Sequence, residues 1–208
     1  MSLLRISTRT EAPRTAIIEL DKEVWGTLPM RVLLPFLGCE QSGEISDDRR
    51  EELLELVFEH HRAGLFDYLA KSEHSEWQCK LFLKRKLLHR YLIDRLIDEA
   101  KDKNFLSNDR YAEILIRSLA EMGKSRRYII SKLQVQRIPS TLYEPYLLDY
   151  LQRDDSLARL ETEVKNILLR CSNLPFIKRK EKVFTTLYRK GWEMDLIRAA
   201  WDKALERE

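Results

Sequence analysis

From Ser46 onward, apolar residues recur every three or four positions almost to the end of the chain, the spacing of one buried helix face. Ser46 followed by Asp47 and Asp48 predicts a helix start, because a serine oxygen can accept a free backbone N–H and the dipole favours acid in the first turn. That helix carries Leu53, Leu54, Val57 and Phe58 on one face and runs past Leu65 to Leu69. Ser75 with Gln78 fits a capping box and opens a second helix. A third covers about Arg90 to Lys101, with Ile93, Leu96 and Ile97 on one side, and Asn104 breaks it. The same order then returns. Ser107 to Met122 predicts a helix with Tyr111, Leu115 and Leu119 inward; Ser125 caps Arg126 to Val135; about Thr141 to Leu151 follows, where Pro145, beyond the first turn, loses a helix hydrogen bond.

These helices align as a repeat. Leu83, Leu133 and Leu187 stand near the ends of the middle helices. Ten places on are Ile93, Tyr143 and Ile197; fourteen places on are Ile97, Leu147 and Trp201, all apolar. Fourteen places before, Leu69 and Leu119 match, and an insertion of four residues in the third copy puts Leu169 in that place. A period near 50, used three times, marks a short helical array. The first 45 residues differ. They hold three of the six prolines, and Thr15 to Leu20, Asp21-Lys22 and Glu23 to Gly26 read as strand, turn and strand. Met30 to Leu37 reads as a short helix ending at Gly38. The expected fold is mainly α: an elongated tandem array of three three-helix units with a small N-terminal β-hairpin module. The expected divisions are residues 1–45, 46–104, 105–153 and 154–208.

Composition adds little to this. The net charge of +3 over 208 residues names no partner, but its distribution is uneven. Lys71 to Arg90 holds six basic and two acidic residues, Lys124 to Arg137 five and none, and Lys178 to Lys190 six and one. Each stretch is the loop and middle helix of one repeat. Asp47 to Arg62 and Glu144 to Glu163 carry the balancing acid. If the repeats stack in register, a broken basic stripe results, able to follow a phosphate backbone or an acidic protein surface. The plainer alternative is solvated helix faces, since lysine and arginine stems also cover apolar surface.

Little else suggests chemistry. Gly123-Lys124-Ser125 resembles the tail of a phosphate loop, but Ser118 stands where its first glycine should be and a helix precedes it. His60 and His61 are adjacent and point apart, and His74 and His89 lack partners at metal-ligand spacing. Cys39, Cys79 and Cys171 are widely spaced and odd in number, which fits free thiols in a reducing cytosol. No apolar run is long enough to span a bilayer, and no signal core opens the chain, so a cytoplasmic protein is expected. Trp77 and Trp192 are candidates for stacking on bases or filling a partner's pocket, whereas Trp201 occupies a core slot. No catalytic constellation, metal or cofactor is expected.

Several segments carry a resemblance. Ser75 to Lys86 (SEWQCKLFLKRK) is similar to the S-x-x-E-L-x-x-K-L-x-x-K-G stretch of the RecX family, regulators of the RecA recombinase. Phe105 to Ala112 (FLSNDRYA) is close to that family's g-x-L-x-D-x-x-[FY]-A. Met122 to Ile129 (MGKSRRYI) resembles its following turn, and Leu187 to Ile197 (LYRKGWEMDLI) its closing L-x-x-[KR]-G-[FY]-x-x-x-x-I. The match runs over about residues 45 to 208, and the N-terminal module resembles the strand-bearing extension of longer members. Two family glycines are replaced, by Leu87 and Arg137, so those helix ends must close differently or bear strain; Phe82 replaces a family lysine.

The resemblance implies an array lying along the groove of a RecA–DNA filament, where it hinders ATP turnover, strand exchange and filament growth without chemistry of its own. The contact set would be Arg126, Arg127, Lys132, Arg137, Lys178, Arg179, Lys182, Arg189 and Lys190, then Lys80, Lys84, Arg85 and Lys86. A stand-alone DNA-binding array of helix-turn-helix type and a non-catalytic helical scaffold are the other readings. Solution scattering tests the array: a compact chain of this length has a radius of gyration of about 17 Å, and three units in tandem should clearly exceed it.

Overall fold

The structure, a computed structural model, describes residues 1–9, 12–38, 42–150 and 156–205. Cys39 lies outside them. The chain divides into two compact units, Met1–Ser107 and Asn108–Glu208.

The first unit opens with strands β1 (Ser2–Arg9), β2 (Ala12–Leu20) and β3 (Glu23–Pro29), helix α1 (Met30–Leu37) and strand β4 (Gly43–Ile45). The expected hairpin is β2 and β3. Asp21 and Lys22 both take positive φ (53° and 71°), the twist that joins two-residue hairpins. The sheet is larger than the hairpin: it is antiparallel in the order β3-β2-β1-β4. Leu4 pairs with Leu20, Ile6 with Ile18 and Ala16 with Leu28, so one face is apolar. A register shift after Ile18 leaves Trp25 as the extra residue of β3. This bulge turns both Trp25 and Gly26 inward.

Helices α2 (Asp47–Leu69), α3 (Glu76–Lys84) and α4 (Arg90–Asp102) complete the unit. The caps stand where the sequence puts them: Ser46 accepts from Arg49 N–H, and Ser75 and Gln78 form both halves of the capping box. One apolar core joins the sheet to this repeat, running from Leu4 through Leu33, Val57, Leu83 and Ile97 to Leu106.

The second unit holds α5 (Asn108–Glu121), α6 (Arg126–Val135), α7 (Ser140–Tyr150), α8 (Ser156–Arg170), α9 (Phe176–Arg189) and α10 (Met194–Leu205). Two apolar cores form here, one within α5 to α7 and one within α8 to α10. In each, the first and third helices pack together. All six inward positions expected of the third helices, Ile93, Ile97, Tyr143, Leu147, Ile197 and Trp201, are buried. On α5 the most buried line is Ala112 and Ile116, with Tyr111, Leu115 and Leu119 half-buried beside it. Leu169, unlike Leu69 and Leu119, is exposed. Pro145 lies inside α7, which begins at Ser140.

His61 ties α2 to the sheet. Its Nε2 donates to Thr27 O at 2.9 Å. Burial, and then the neighbouring His60, push the imidazole down to about 4, so it is neutral in the fold. An unfolded histidine titrates near 6.5 and therefore takes up a proton first as pH falls. This contribution to stability is complete above about pH 6.5 and is lost between there and about pH 4, to the order of 3 kcal/mol. Urea unfolding at pH 7, 6 and 5 should show the decline, and His61→Gln should remove most of it. A flat profile would mean that the ring is not held neutral.

Candidate partner-binding surface

The candidate cations all lie on or just after the three middle helices, so the surface is built from how those helices end. The three endings share one geometry. Leu87 N–H donates to Lys84 O and Leu88 N–H to Leu83 O; Arg137 and Ile138 repeat this with Gln134 O and Leu133 O; Gly191 and Trp192 repeat it with Tyr188 O and Leu187 O. This double bond pattern is a Schellman stop, which needs a left-handed residue at its turn. Leu87 (φ 55°), Arg137 (φ 57°) and Gly191 (φ 89°) supply it. The two replaced glycines therefore keep the glycine conformation, at about 1 kcal/mol or more each. The next residue, Leu88, Ile138 or Trp192, is buried in the core that holds its repeat's leucine.

Glycine persists at 191 for a further reason. A Cβ there would lie 2.7 Å from Tyr128 Cβ and 2.9 Å from Ser125 Oγ. The α9 stop is seated against the loop before α6. Ser125 N–H donates to Lys190 O at 3.1 Å, Ser125 Oγ donates to Gly191 O at 2.7 Å, and Trp192 Nε1 donates to Gly123 O at 3.0 Å. Arg159 of α8 reaches Ala120 O at 3.1 Å, and Lys190 Nζ pairs with Glu163. The α3 stop is seated in a comparable way on β3: His89 N–H donates to Trp25 O, Thr27 Oγ1 donates to Lys86 O, and Leu88 touches the open face of Gly26. Gly123-Lys124-Ser125, which looks like a phosphate loop in the sequence, is thus a socket between two repeats. The signal for it was the glycine and tryptophan at 191 and 192.

The cations sort by what they touch. Lys80 pairs with Glu76 at 2.7 Å, and Lys101 binds the same carboxylate. Burial pushes the Glu76 carboxyl up, but these two ammoniums outweigh it and hold it below its ordinary value. Arg179 Nε donates to Leu174 O at 2.7 Å. Lys190 is half-buried against Glu163, and Arg126 is half-buried. These four belong to the fold as much as to any surface.

Lys84, Arg85, Lys86, Arg127, Lys132, Arg137, Lys178, Lys182 and Arg189 are exposed. Aromatic rings hold several of them. Lys84 lies 5.9 Å from Trp77, Lys86 5.9 Å from Phe82, and Lys132 5.3 Å from Tyr128, distances at which a ring face attracts a cation. Arg127 approaches Glu193 at 3.5 Å, an exposed pair worth little. An open groove is lined by Arg127 and Tyr128 of α6, Tyr188 and Arg189 of α9 and Met194 of α10. Tyr188 is 64% exposed, so an aromatic face shares this groove with two arginines. Trp192 and Trp201 are core, which removes them as stacking platforms; Trp77 is half-buried.

Among the described residues no His, Cys, Asp or Glu group could hold a metal ion, and no helix is long and apolar enough to cross a membrane. Cys79 and Cys171 are buried free thiols, and burial, then Glu76, pushes Cys79 up to about 12.

A chain with a small sheet followed by short helical repeats has known counterparts. No family model matches the chain. It is 24% identical over 147 residues to the regulatory protein RecX of Staphylococcus haemolyticus, covering 69% of this chain and 54% of that protein. It is 22% identical over 191 residues to the regulatory protein RecX of Streptococcus mutans, covering 91% and 72%. The match thus spans about half the length of the first relative. A crystal structure of a regulatory protein RecX superposes with a TM-score of 0.54 at 16% identity, covering 97% of this chain and all of that one. RecX from Lactobacillus salivarius gives 0.55 at 18%, covering 71% and 96%. The fold class is therefore the mainly helical one, with a small N-terminal sheet, that these structures share. In sequence and in fold the chain is RecX-like.

The stops make a sharp prediction. Gly191→Ala adds a Cβ against Tyr128 and Ser125 in a left-handed position, and should cost about 2–4 kcal/mol in urea unfolding. Leu87→Gly relieves backbone strain while losing a half-buried side chain, and should stay within about 1 kcal/mol of the parent. Equal losses at both would refute the distinction between a stop that has room for a Cβ and one that has none.

Proposed function

We propose that this chain binds a RecA–DNA filament and slows the recombinase's ATP turnover, strand exchange and growth without chemistry of its own. The observation that carries the reading is the recurrence of exposed cations at one place in a repeat whose relatives are named RecX. Lys84, Arg85 and Lys86 precede the first stop, Arg127 and Lys132 precede the second with Arg137 at its turn, and Lys178, Lys182 and Arg189 precede the third. Several weak contacts to successive protomers of a polymer sum to a strong one. The half-buried cations Lys80, Arg179 and Lys190 act in this reading by holding the helices that present the others. The partners are the filament and the DNA it carries, in the cytoplasm, and no cofactor takes part.

A second reading, direct DNA binding, is favoured by an exposed Tyr188 that lines one groove with Arg127 and Arg189. A base can stack on such a ring while phosphates meet the guanidinium groups. Naked-DNA affinity would then fall steeply with salt, by about 0.9 in log–log slope per duplex phosphate contacted.

DNA-dependent ATP hydrolysis by the cognate RecA should slow when this protein is added. Arg127→Glu with Lys132→Glu and Arg189→Glu should raise the half-inhibitory concentration about 10-fold or more, since charge reversal replaces attraction by repulsion. No slowing at saturating protein would sink the reading. Unchanged inhibition by the triple variant would move the contact away from these helices and favour a plain scaffold.

A further inference from the structure

The acid on α2 plays no part in the recombinase reading, which rests on cations. Glu52, Glu55 and Glu59 stand three and four places apart, so they fall on one line along the helix. A groove of about 630 Å³ is lined by all three, together with Leu56 of α2 and Val32, Pro35 and Phe36 of α1. Val32, Phe36 and Leu56 are half-buried and Pro35 is exposed, so the groove offers apolar surface to solvent. Every charged residue in its lining is a carboxylate.

The three carboxylates differ in what already holds them. Glu55 takes both guanidinium nitrogens of Arg95, at 2.8 and 3.3 Å, and is committed to the fold. Glu59 meets Arg62 at 2.8 Å, an exposed pair on one helix that is worth little and exchanges readily. Glu52 is exposed and makes no hydrogen bond or ion pair among the described residues. Arg49, whose guanidinium lies 5.0 Å from the Phe36 ring, donates to Phe36 O at 2.7 Å and is held there.

An apolar groove with an acidic lining selects its occupant by charge. Nucleic acid and acidic segments are repelled by Glu52 and Glu59. A segment that carries apolar side chains with lysine or arginine beside them satisfies both kinds of lining residue. The spacing gives its form. A helix enters a groove with residues at i, i+3, i+4 and i+7, and cations on its flank recur at the three-and-four interval that separates the glutamates.

We propose that the groove lined by α1 and α2 docks a basic amphipathic helix of a partner protein. Its apolar face meets Val32, Phe36 and Leu56, and its cations meet Glu52 and Glu59. This goes beyond the recombinase reading and shares no residue with the contact set of that reading.

The test uses the full chain and a fluorescein-labelled helical peptide of about 18 residues, leucine on one face and lysine elsewhere. Anisotropy should show saturable binding, and the glutamate counterpart of the peptide should not bind. Methyl resonances of Val32 and Leu56 should move on binding, while those of Val164 and Val183 in the third repeat stay in place. Glu52→Lys with Glu59→Lys should weaken binding about 10-fold or more, as reversal of facing charges does. Circular dichroism checks that this variant keeps the fold, and the methyl readout needs no variant.

A scrambled peptide of the same composition bound equally well would overturn the proposal, because charge alone would then explain binding. So would no saturable binding, binding unchanged in the variant, or methyl shifts that spare Val32 and Leu56. Self-association in sedimentation that the same variant abolishes, with the peptide unable to compete, would overturn it in favour of a second copy of this chain. The ATP-hydrolysis assay separates the two readings. Glu52→Lys with Glu59→Lys should lose the peptide and still slow the recombinase, whereas Arg127→Glu with Lys132→Glu and Arg189→Glu should keep the peptide and lose the slowing. Loss of slowing in the glutamate variant would make the groove part of the filament contact and overturn the proposal.

Discussion

A left-handed residue after each middle helix is the constraint from which the three repeats follow. It allows the chain to reverse sharply while the last carbonyls of the helix still find donors. The reversal carries Leu88, Ile138 and Trp192 back into the core beside Leu83, Leu133 and Leu187. Burying such a side chain is worth about 1.5–3 kcal/mol, more than the strain of a left-handed leucine or arginine. That balance is why the conformation survives at 87 and 137 after the glycine is gone. At 191 strain is not the only issue, because the stop is pressed against Tyr128 and Ser125 and has no room for a Cβ.

Much of this was legible in the chain. Helix starts are local: a serine followed by free N–H groups reads the same in sequence and in space, and Ser46, Ser75 and Ser125 cap as expected. The inward positions of the third helices are also local, set by spacing alone. The other two strands of the sheet, β1 and β4, were not. In β1 the residues Leu4 and Ile6 alternate with Leu3 and Arg5, a weak signal without a visible partner, and β4 is only three residues long. Pairing decides such strands, and pairing is non-local.

The same holds for the candidate surface. Which stretches are basic can be counted, but which cations are committed to the fold cannot. Lys190 finds Glu163, 27 positions away, and Trp192 finds Gly123, 69 positions away. Arg179 and Lys80 find partners closer by, yet only helix geometry brings them within reach. A residue count therefore overstates the charge open to a partner. The cations split into those that brace the middle helices and those that the braced helices hold outward, several over an aromatic ring. The RecX likeness and the repeat arise from this same arrangement, since the motif residues are mostly those that start, stop and seat the helices.

Trp192 gives the joint between the last two repeats an optical signature. Its indole is sheltered from water and bonded to Gly123 O only while the α9 stop rests in its socket. Indole emission shifts to longer wavelength when the ring is hydrated. Against the constant background of Trp25, Trp77 and Trp201, the chain thus carries a label-free gauge of whether its last two repeats are seated.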